Sequence, residues 1–244
     1  LRDISDRKKV ERLKSEFVAT VSHELRTPLT SIKGSLELIK AGIVGDISKE
    51  CSQLIDISLK NSDKLESLVN DILDIEKLKS GNIGLDLSFY KIVPFLREAI
   101  DHSQGYADKF KVSLSLDISN TSPNIHVRVD KLRLHQVMAN LLSNAIKFSP
   151  SGGLVKVLVE VDGDFVRVNV IDQGQGVSED FKPQIFQRFA QADSSDRRQQ
   201  GGTGLGLNIC KTLIERMNGR IDFVSTHAQG STFFIELPIA EVPS

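Results

Sequence analysis

Cysteine is scarce. Cys51 and Cys210 are the only two among 244 residues, and no metal-binding or redox motif surrounds either. Two thiols so far apart in sequence point to a reducing compartment and argue against a disulfide-stapled fold. An excess of one charge is also missing. The net charge is -1, which gives no electrostatic case for nucleic acid or for an acidic membrane surface as a partner. No apolar run approaches the ~20 residues a helix needs to cross a bilayer, and no signal peptide is visible. The region is therefore expected to work in the cytoplasm. The chain opens on Leu1, not Met, so it is expected to be a fragment, and its parent can be soluble or membrane-anchored. Internal repeats, low-complexity tracts and the Walker pattern G-x-x-x-x-G-K-[ST] are all lacking.

What is present divides into two halves with different periods. Val10, Leu13, Phe17, Val21, Leu25, Leu29, Ile32, Leu36, Ile39 and Ile43 advance in steps of three and four, the seam of a long amphipathic helix. AGIVGDIS (41–48) reads as a turn. A second seam follows on Leu54, Ile57, Leu65, Leu68, Ile72 and Ile75 and stops at Ser80-Gly81. Two long helices and a short turn make an antiparallel hairpin. Each helix of a lone hairpin buries only one stripe, so a second copy is expected to complete a four-helix bundle. After residue 82 the pattern becomes β-rich, at 112–118, 125–129, 155–161, 165–171, 221–225 and 231–237. Helical stretches at about 92–104, 130–147 and 204–217 lie between. The expected fold class is a multidomain α+β chain. A helical hairpin (16–82) follows a linker helix start (1–15). An α/β sandwich (83–240) then has a mixed sheet with helices on one face.

The first helix carries SHELRTPLT (22–30). At roughly 100° per residue, His23 falls roughly 150° from the centre of the apolar arc and is expected to face solvent. Thr27 lies one turn on, and Glu24 is adjacent. A solvated helix face is the plain alternative. Pro28 weighs against it, because a proline inside a helix costs about 3 kcal/mol and invites a functional reason. A neutral imidazole is nucleophilic near neutral pH, and a neighbouring carboxylate can take its second proton. A phosphoryl group is the natural electrophile.

The second half offers a nucleotide site. NLLSNAIKF (140–148) sets Asn140, Asn144 and Lys147 on one helix face, with amide oxygens for Mg²⁺ and an ammonium for phosphate. DQGQG (172–176) follows a strand. Gly174 and Gly176 let the backbone approach a ligand, and Asp172 can accept from an exocyclic amine such as that of adenine. GGTGLGL (201–207) holds Gly202, Thr203, Gly204, Leu205, Gly206 and Leu207, and glycines at a helix start favour an anion. The polar stretch 178–202 reads as a lid anchored through Phe186 and Phe189. Arg188, Arg197 and Arg198 are candidate phosphate contacts, with surface arginines as the alternative.

These motifs, in this order, resemble the transmitter core of a sensor histidine kinase from a two-component system. FVATVSHELRTPLTSI resembles its H box, QVMANLLSNAIKFS its N box, DQGQGV its G1 box, IFQRF its F box and GGTGLGL its G2 box. The resemblance covers nearly the whole chain. It implies a dimerisation and phosphoacceptor hairpin, then an ATP-binding domain of the type shared with gyrase and the Hsp90 chaperones. It implies His23 as phosphoacceptor, Glu24 as the acid taking its proton, and Thr27 as the water-positioning residue of an E-x-x-T pattern. It further implies Asn144 as the Mg²⁺ ligand, Asn140 and Lys147 as nearby contacts, Asp172 as the adenine contact and Thr232 as part of the adenine site. The implied cofactors are ATP and Mg²⁺. The implied partners are a second copy of the chain and a response-regulator receiver domain. The first residues resemble the exit from a PAS-type sensor, so an upstream sensor domain is expected. Two rivals stand beside this reading. One is an ATPase of the same fold, whose relatives carry a glutamate base where Asn140 stands here. The other is a non-catalytic module that binds ATP and dimerises.

Overall fold

The computed structural model describes residues 2–79, 84–118, 122–191, 203–226 and 228–242. For residues 2–19, 23 and 77–79 it describes the helical backbone alone. The chain falls into two compact units, one of residues 1–84 with 195–205, the other of 85–194 with 206–244.

The first unit is built on α1 (Arg2–Lys40) and α2 (Lys49–Lys79). Pro28 sits inside α1 without ending it. The turn over 41–44 closes with backbone bonds from Ala41 N to Glu37 O and from Ile43 N to Leu38 O. Ser48 Oγ then accepts from Cys51 N and caps the start of α2. Polar pairs record the antiparallel register. Arg26 meets Asn70 at 2.8 Å, Lys33 meets Asp63 at 2.7 Å, and Lys40 meets Asp56 at 2.7 Å. Leu29, Val69 and Ile75 are buried, but Leu25, Ile32, Leu54, Ile57 and Leu65 remain exposed. One stripe of each helix is covered, and further apolar surface stays open.

The second unit contains two sheets. In the small one, β1 (Ser88–Lys91) pairs antiparallel with β3 (His126–Val129). The large one has the order β2-β4-β5-β7-β6. It comprises β2 (Ser113–Asp117), β4 (Leu154–Asp162), β5 (Phe165–Asp172), β7 (Ser231–Pro238) and β6 (Arg220–Ser225). Only β2 and β4 run parallel, so the sheet is mixed. Helices α3 (Ile92–Phe110), α4 (Lys131–Phe148) and α5 (Gly206–Arg216) complete the unit. Two elements depart from the sequence reading: β1 was not foreseen, and α3 runs through Gly105 to Phe110.

Strand alternation explains the core. Val157 pairs with Val170 and Val159 with Val168, and Val168 in turn pairs with Ile235, all buried on one face. Leu96, Leu134, Met138, Leu142, Ile146, Leu213 and Ile214 supply the buried side of the helices. On the alternate positions Arg167 donates to Glu236 and to Asp162, and lies 4.8 Å over the Phe234 ring. Asp130 starts α4, accepting from Arg133 N at 3.0 Å and from Asp86 N at 3.1 Å.

Leu142 is completely buried in α4, the helix that carries the candidate site. Leu142→Ala is expected to destabilise this unit by about 2–5 kcal/mol, through lost burial and the cavity left behind. Urea unfolding followed by circular dichroism reads this as a lower midpoint. An unchanged midpoint would mean that α4 is not seated as described.

Candidate functional site

The site is best defined at the end of β5. The β5–β7 ladder finishes at the pair Asp172–Ser231. Asp172 is only 7% exposed. Its Oδ1 accepts from Gly174 N at 2.8 Å and from Ser231 N at 3.2 Å. Among the described residues Oδ2 has no hydrogen-bond partner. Burial pushes the Asp172 carboxyl up from its ordinary range, against the two backbone donors that pull it down. Such a carboxylate is pre-set to accept from one more donor.

The loop that follows is held by close packing. Gly176 has φ +69°, and a Cβ there would collide with the Thr226 carbonyl oxygen. Val177 N donates to Ser225 Oγ at 2.8 Å, and Ser225 Oγ lies 3.0 Å from Ser231 Oγ. The expected place of Thr232 in this site is corrected by the register. Thr232 pairs with Ile171 and Val224, one step out of phase with Asp172, so it belongs to the opposite face of the sheet. Ser231 is the residue beside Asp172, and the sequence reading missed it.

On α4, Asn140, Asn144 and Lys147 share a half-buried face. Asn144 Nδ2 donates to Asn140 Oδ1 at 3.1 Å, a bond that does not use the Asn144 oxygen. Lys147 Nζ lies 4.8 Å over the Phe148 ring. Gly206 opens α5 directly against Asn140, and a Cβ at Gly206 would strike its carboxamide. Close approach is therefore what this glycine provides, and it brings the start of α5 to the amide pair. Leu207 follows, half-buried. Thr203, Gly204 and Leu205 group instead with the helical unit. There Thr203 Oγ1 donates to Asp71 Oδ2 at 2.7 Å and accepts from Leu205 N at 3.2 Å. Gly202, Arg197 and Arg198 lie outside the described residues, as does much of the expected lid.

Of the two expected anchors in IFQRF, one holds. Phe186 is half-buried, with its ring 6.0 Å edge-on from Phe223 and Lys211 Nζ 5.7 Å from its centre. Ile185 beside it is buried. Among the described residues Phe189 has no ring contact: it is 64% exposed and sits at φ +60°. Arg188 is exposed.

His23, Glu24 and Thr27 lie on α1, in the other unit. Glu24 and Thr27 are exposed, while Ser22 is buried. The His23 side chain, and so its expected exposure, lies outside what is described.

The raised Asp172 pKa has a signed consequence. The folded state holds this proton more tightly than the unfolded chain does. The stability contributed by protonated Asp172 is full below the ordinary carboxylate value and is lost as pH rises through the raised value. Asp172→Asn keeps an acceptor for Gly174 N and Ser231 N without the buried charge. Its melting temperature at about pH 7 is expected to equal or exceed that of the parent, with the advantage shrinking toward about pH 4. A variant clearly less stable near neutrality would show that the ionised carboxylate supports the fold.

Comparison with known proteins agrees with this geometry. Residues 13–81 match the family described as His Kinase A (phospho-acceptor) domain. Residues 129–241 match the family described as Histidine kinase-, DNA gyrase B-, and HSP90-like ATPase. The chain is 37% identical over 225 residues to the circadian input-output histidine kinase CikA of Synechococcus elongatus, covering 92% of this chain and 30% of that protein. It is 38% identical over 233 residues to the sensor protein EvgS of Escherichia coli K12, covering 93% of this chain and 19% of that protein. It thus spans less than a third of either relative. Among solved structures, full-length ShkA in complex with AMPPNP matches with a TM-score of 0.76 and 31% identity, over 94% of this chain and 47% of that one. The Acinetobacter baumannii histidine kinase AdeS matches with a TM-score of 0.62 and 25% identity, over 90% of this chain and 98% of that one. With a phosphoacceptor half and an ATPase-like half matched in that order, the chain belongs to the sensor histidine kinases and represents their transmitter core.

Proposed function

We propose that this chain catalyses ATP-dependent phosphorylation of its own His23 and passes the group to an aspartate on a response-regulator receiver domain. The observation that carries this is the amide pair Asn140–Asn144 beside the start of α5, with an amide where the rival ATPases carry their glutamate base. An amide cannot take a proton from water at neutral pH. Bound ATP then waits for a nucleophile brought to it, which separates this reading from the ATPase.

Asp172 Oδ2 accepts from the adenine amine, and Asp172 Oδ1 keeps the G1 loop in place through Gly174. The Asn144 oxygen, which takes no part in the bond to Asn140, suits a hard cation. Among the described residues no cluster of three His, Cys, Asp or Glu side chains could hold a metal. Mg²⁺ held by one amide oxygen together with phosphates and water is the usual manner of that ion. When bound, Mg²⁺ offsets the phosphate charge. Lys147 and Arg188 add positive charge nearby. The lone-pair nitrogen of His23 attacks the γ-phosphorus, the bond to the β-phosphate oxygen breaks, and the proton on the second ring nitrogen passes to Glu24. Transfer onward breaks the N–P bond and forms an O–P bond on the receiver aspartate. Thr27 orients water when the phosphorylated regulator is hydrolysed.

The open apolar surface on the hairpin, with Leu25, Ile32, Leu54 and Ile57, is covered by a second copy in a four-helix bundle. Residues 1–15 continue from an upstream PAS-type sensor, 16–82 form the phosphotransfer module and 83–240 the ATP module. No helix among the described residues is long and apolar enough to cross a membrane. Use of cellular ATP supports a cytoplasmic location for this part of the protein.

With γ-labelled ATP and Mg²⁺, the parent should acquire an alkali-stable, acid-labile label, and His23→Gln should lose it while still binding ATP. ATP turnover without label would select the ATPase, and binding without either would select the silent module. Asp172→Asn should weaken ATP binding about 10- to 100-fold, the loss of a hydrogen bond to a charged group. Asn144→Asp should fail to phosphorylate itself but be labelled at His23 by a His23→Gln partner in a mixed dimer. Absence of complementation would exclude transfer between the subunits of the dimer.

A further inference from the structure

The described residues show a link that neither the sequence motifs nor the proposed chemistry uses. Asn208 is the third residue of α5, and its side chain turns outward to the F-box segment. Its Nδ2 donates to the Phe186 carbonyl at 2.9 Å, and its Oδ1 accepts from Arg188 Nε at 3.4 Å. Both ends of one carboxamide therefore serve a segment some twenty positions earlier in the chain. Phe186 is held a second time through its ring, between Phe223 of β6 and Lys211 one turn further along α5. Immediately beyond Arg188 the backbone turns through the left-handed conformation of Phe189.

Arg188 thus stands between a pinned residue and a sharp turn, with its Nε tied to Asn208. A guanidinium has five N–H donors in a planar fork. Among the described residues Nε is the only part of Arg188 with a partner, and the side chain is exposed. The two terminal nitrogens remain for an anion. Gly206, two residues before Asn208, is the residue pressed against Asn140 of the amide pair. Hence the first turn of α5 meets the amide pair at Gly206 and, on a different face, holds Arg188 through Asn208.

We propose that Asn208 is a positioning residue that aims Arg188 at the terminal phosphate of the bound nucleotide. The consequence is discrimination between a nucleoside triphosphate and a diphosphate, because only the former offers the phosphate that Arg188 meets. This rests on the reading of the site as an ATP site with Arg188 as a phosphate contact.

The test is calorimetric titration of the full chain with AMPPNP and with ADP, both with Mg²⁺, for the parent, Asn208→Ala, Arg188→Ala and the double variant. A misaimed charge-assisted hydrogen bond corresponds to about a tenfold loss of affinity. Asn208→Ala is expected to weaken AMPPNP by about that factor while ADP changes by less than about twofold, which also shows that the site remains folded. Arg188→Ala should reproduce the loss, and adding Asn208→Ala to it should cost nothing more. Three results would overturn the proposal: no change for AMPPNP, an equal loss for ADP, or additive losses in the double variant. A parent chain that takes no acid-labile label would defeat the kinase reading separately, while the ratio of the two affinities still decides the role of Asn208.

Discussion

One carboxylate at the end of a strand sets the geometry of the nucleotide site. Asp172 closes the β5–β7 ladder, and its Oδ1 is committed to the backbone of Gly174 on one side and Ser231 on the other. Those two donors fix the exit of β5 to the entrance of β7, so the G1 loop begins from a rigid corner. Gly176 then fits against Thr226 because nothing larger can. Two backbone hydrogen bonds do not fully offset the burial of the charge, which is why the group binds its proton more readily than an exposed carboxylate. In the proposed site a ligand amine on the remaining oxygen would supply the missing donor, so that recognition would follow from an incompletely satisfied buried acceptor.

The rest of the site is held by approach and packing more than by charge. Gly206 lets α5 start on top of Asn140, and the amide pair is set by a hydrogen bond between its own members. Asn208 carries the same helix turn to Phe186 and Arg188. The groups expected around the phosphates are amides, an ammonium and a guanidinium. Such a set binds and orients phosphate without activating water, as suits phosphoryl transfer governed by positioning.

The helical unit has the opposite economy. Its register rests on polar pairs along the flanks, which contribute little each at the surface. Its open apolar residues need cover that one hairpin cannot supply. In the proposed two-copy arrangement its stability would be coupled to association, and the histidine-bearing helix would belong to a surface shaped by that association.

Much of this was legible in the primary structure. The two seams are local periodicities, and both helices were found. Most strands followed from alternation of valine with polar residues, and the boxes stood at recognisable spacings. The failures share one cause. The strand β1 exists because Phe89 and Tyr90 pair with Arg128 and Val127, far along the chain. Ser231 and Thr232 are both hydroxyl residues, and only the register against Ile171 and Val224 separates them. Phe189 reads as an anchor in a string of letters, yet it is exposed and sits at a left-handed φ. Asn208 carries no motif at all, since its partners lie some twenty positions away. The sequence by itself determined the family, the order of elements and the chemical types at the site, because period and composition act between near neighbours. Only tertiary structure decided which of two adjacent side chains faces the ligand and what holds each in place, because register and long-range hydrogen bonds are properties of the assembled sheet and helices.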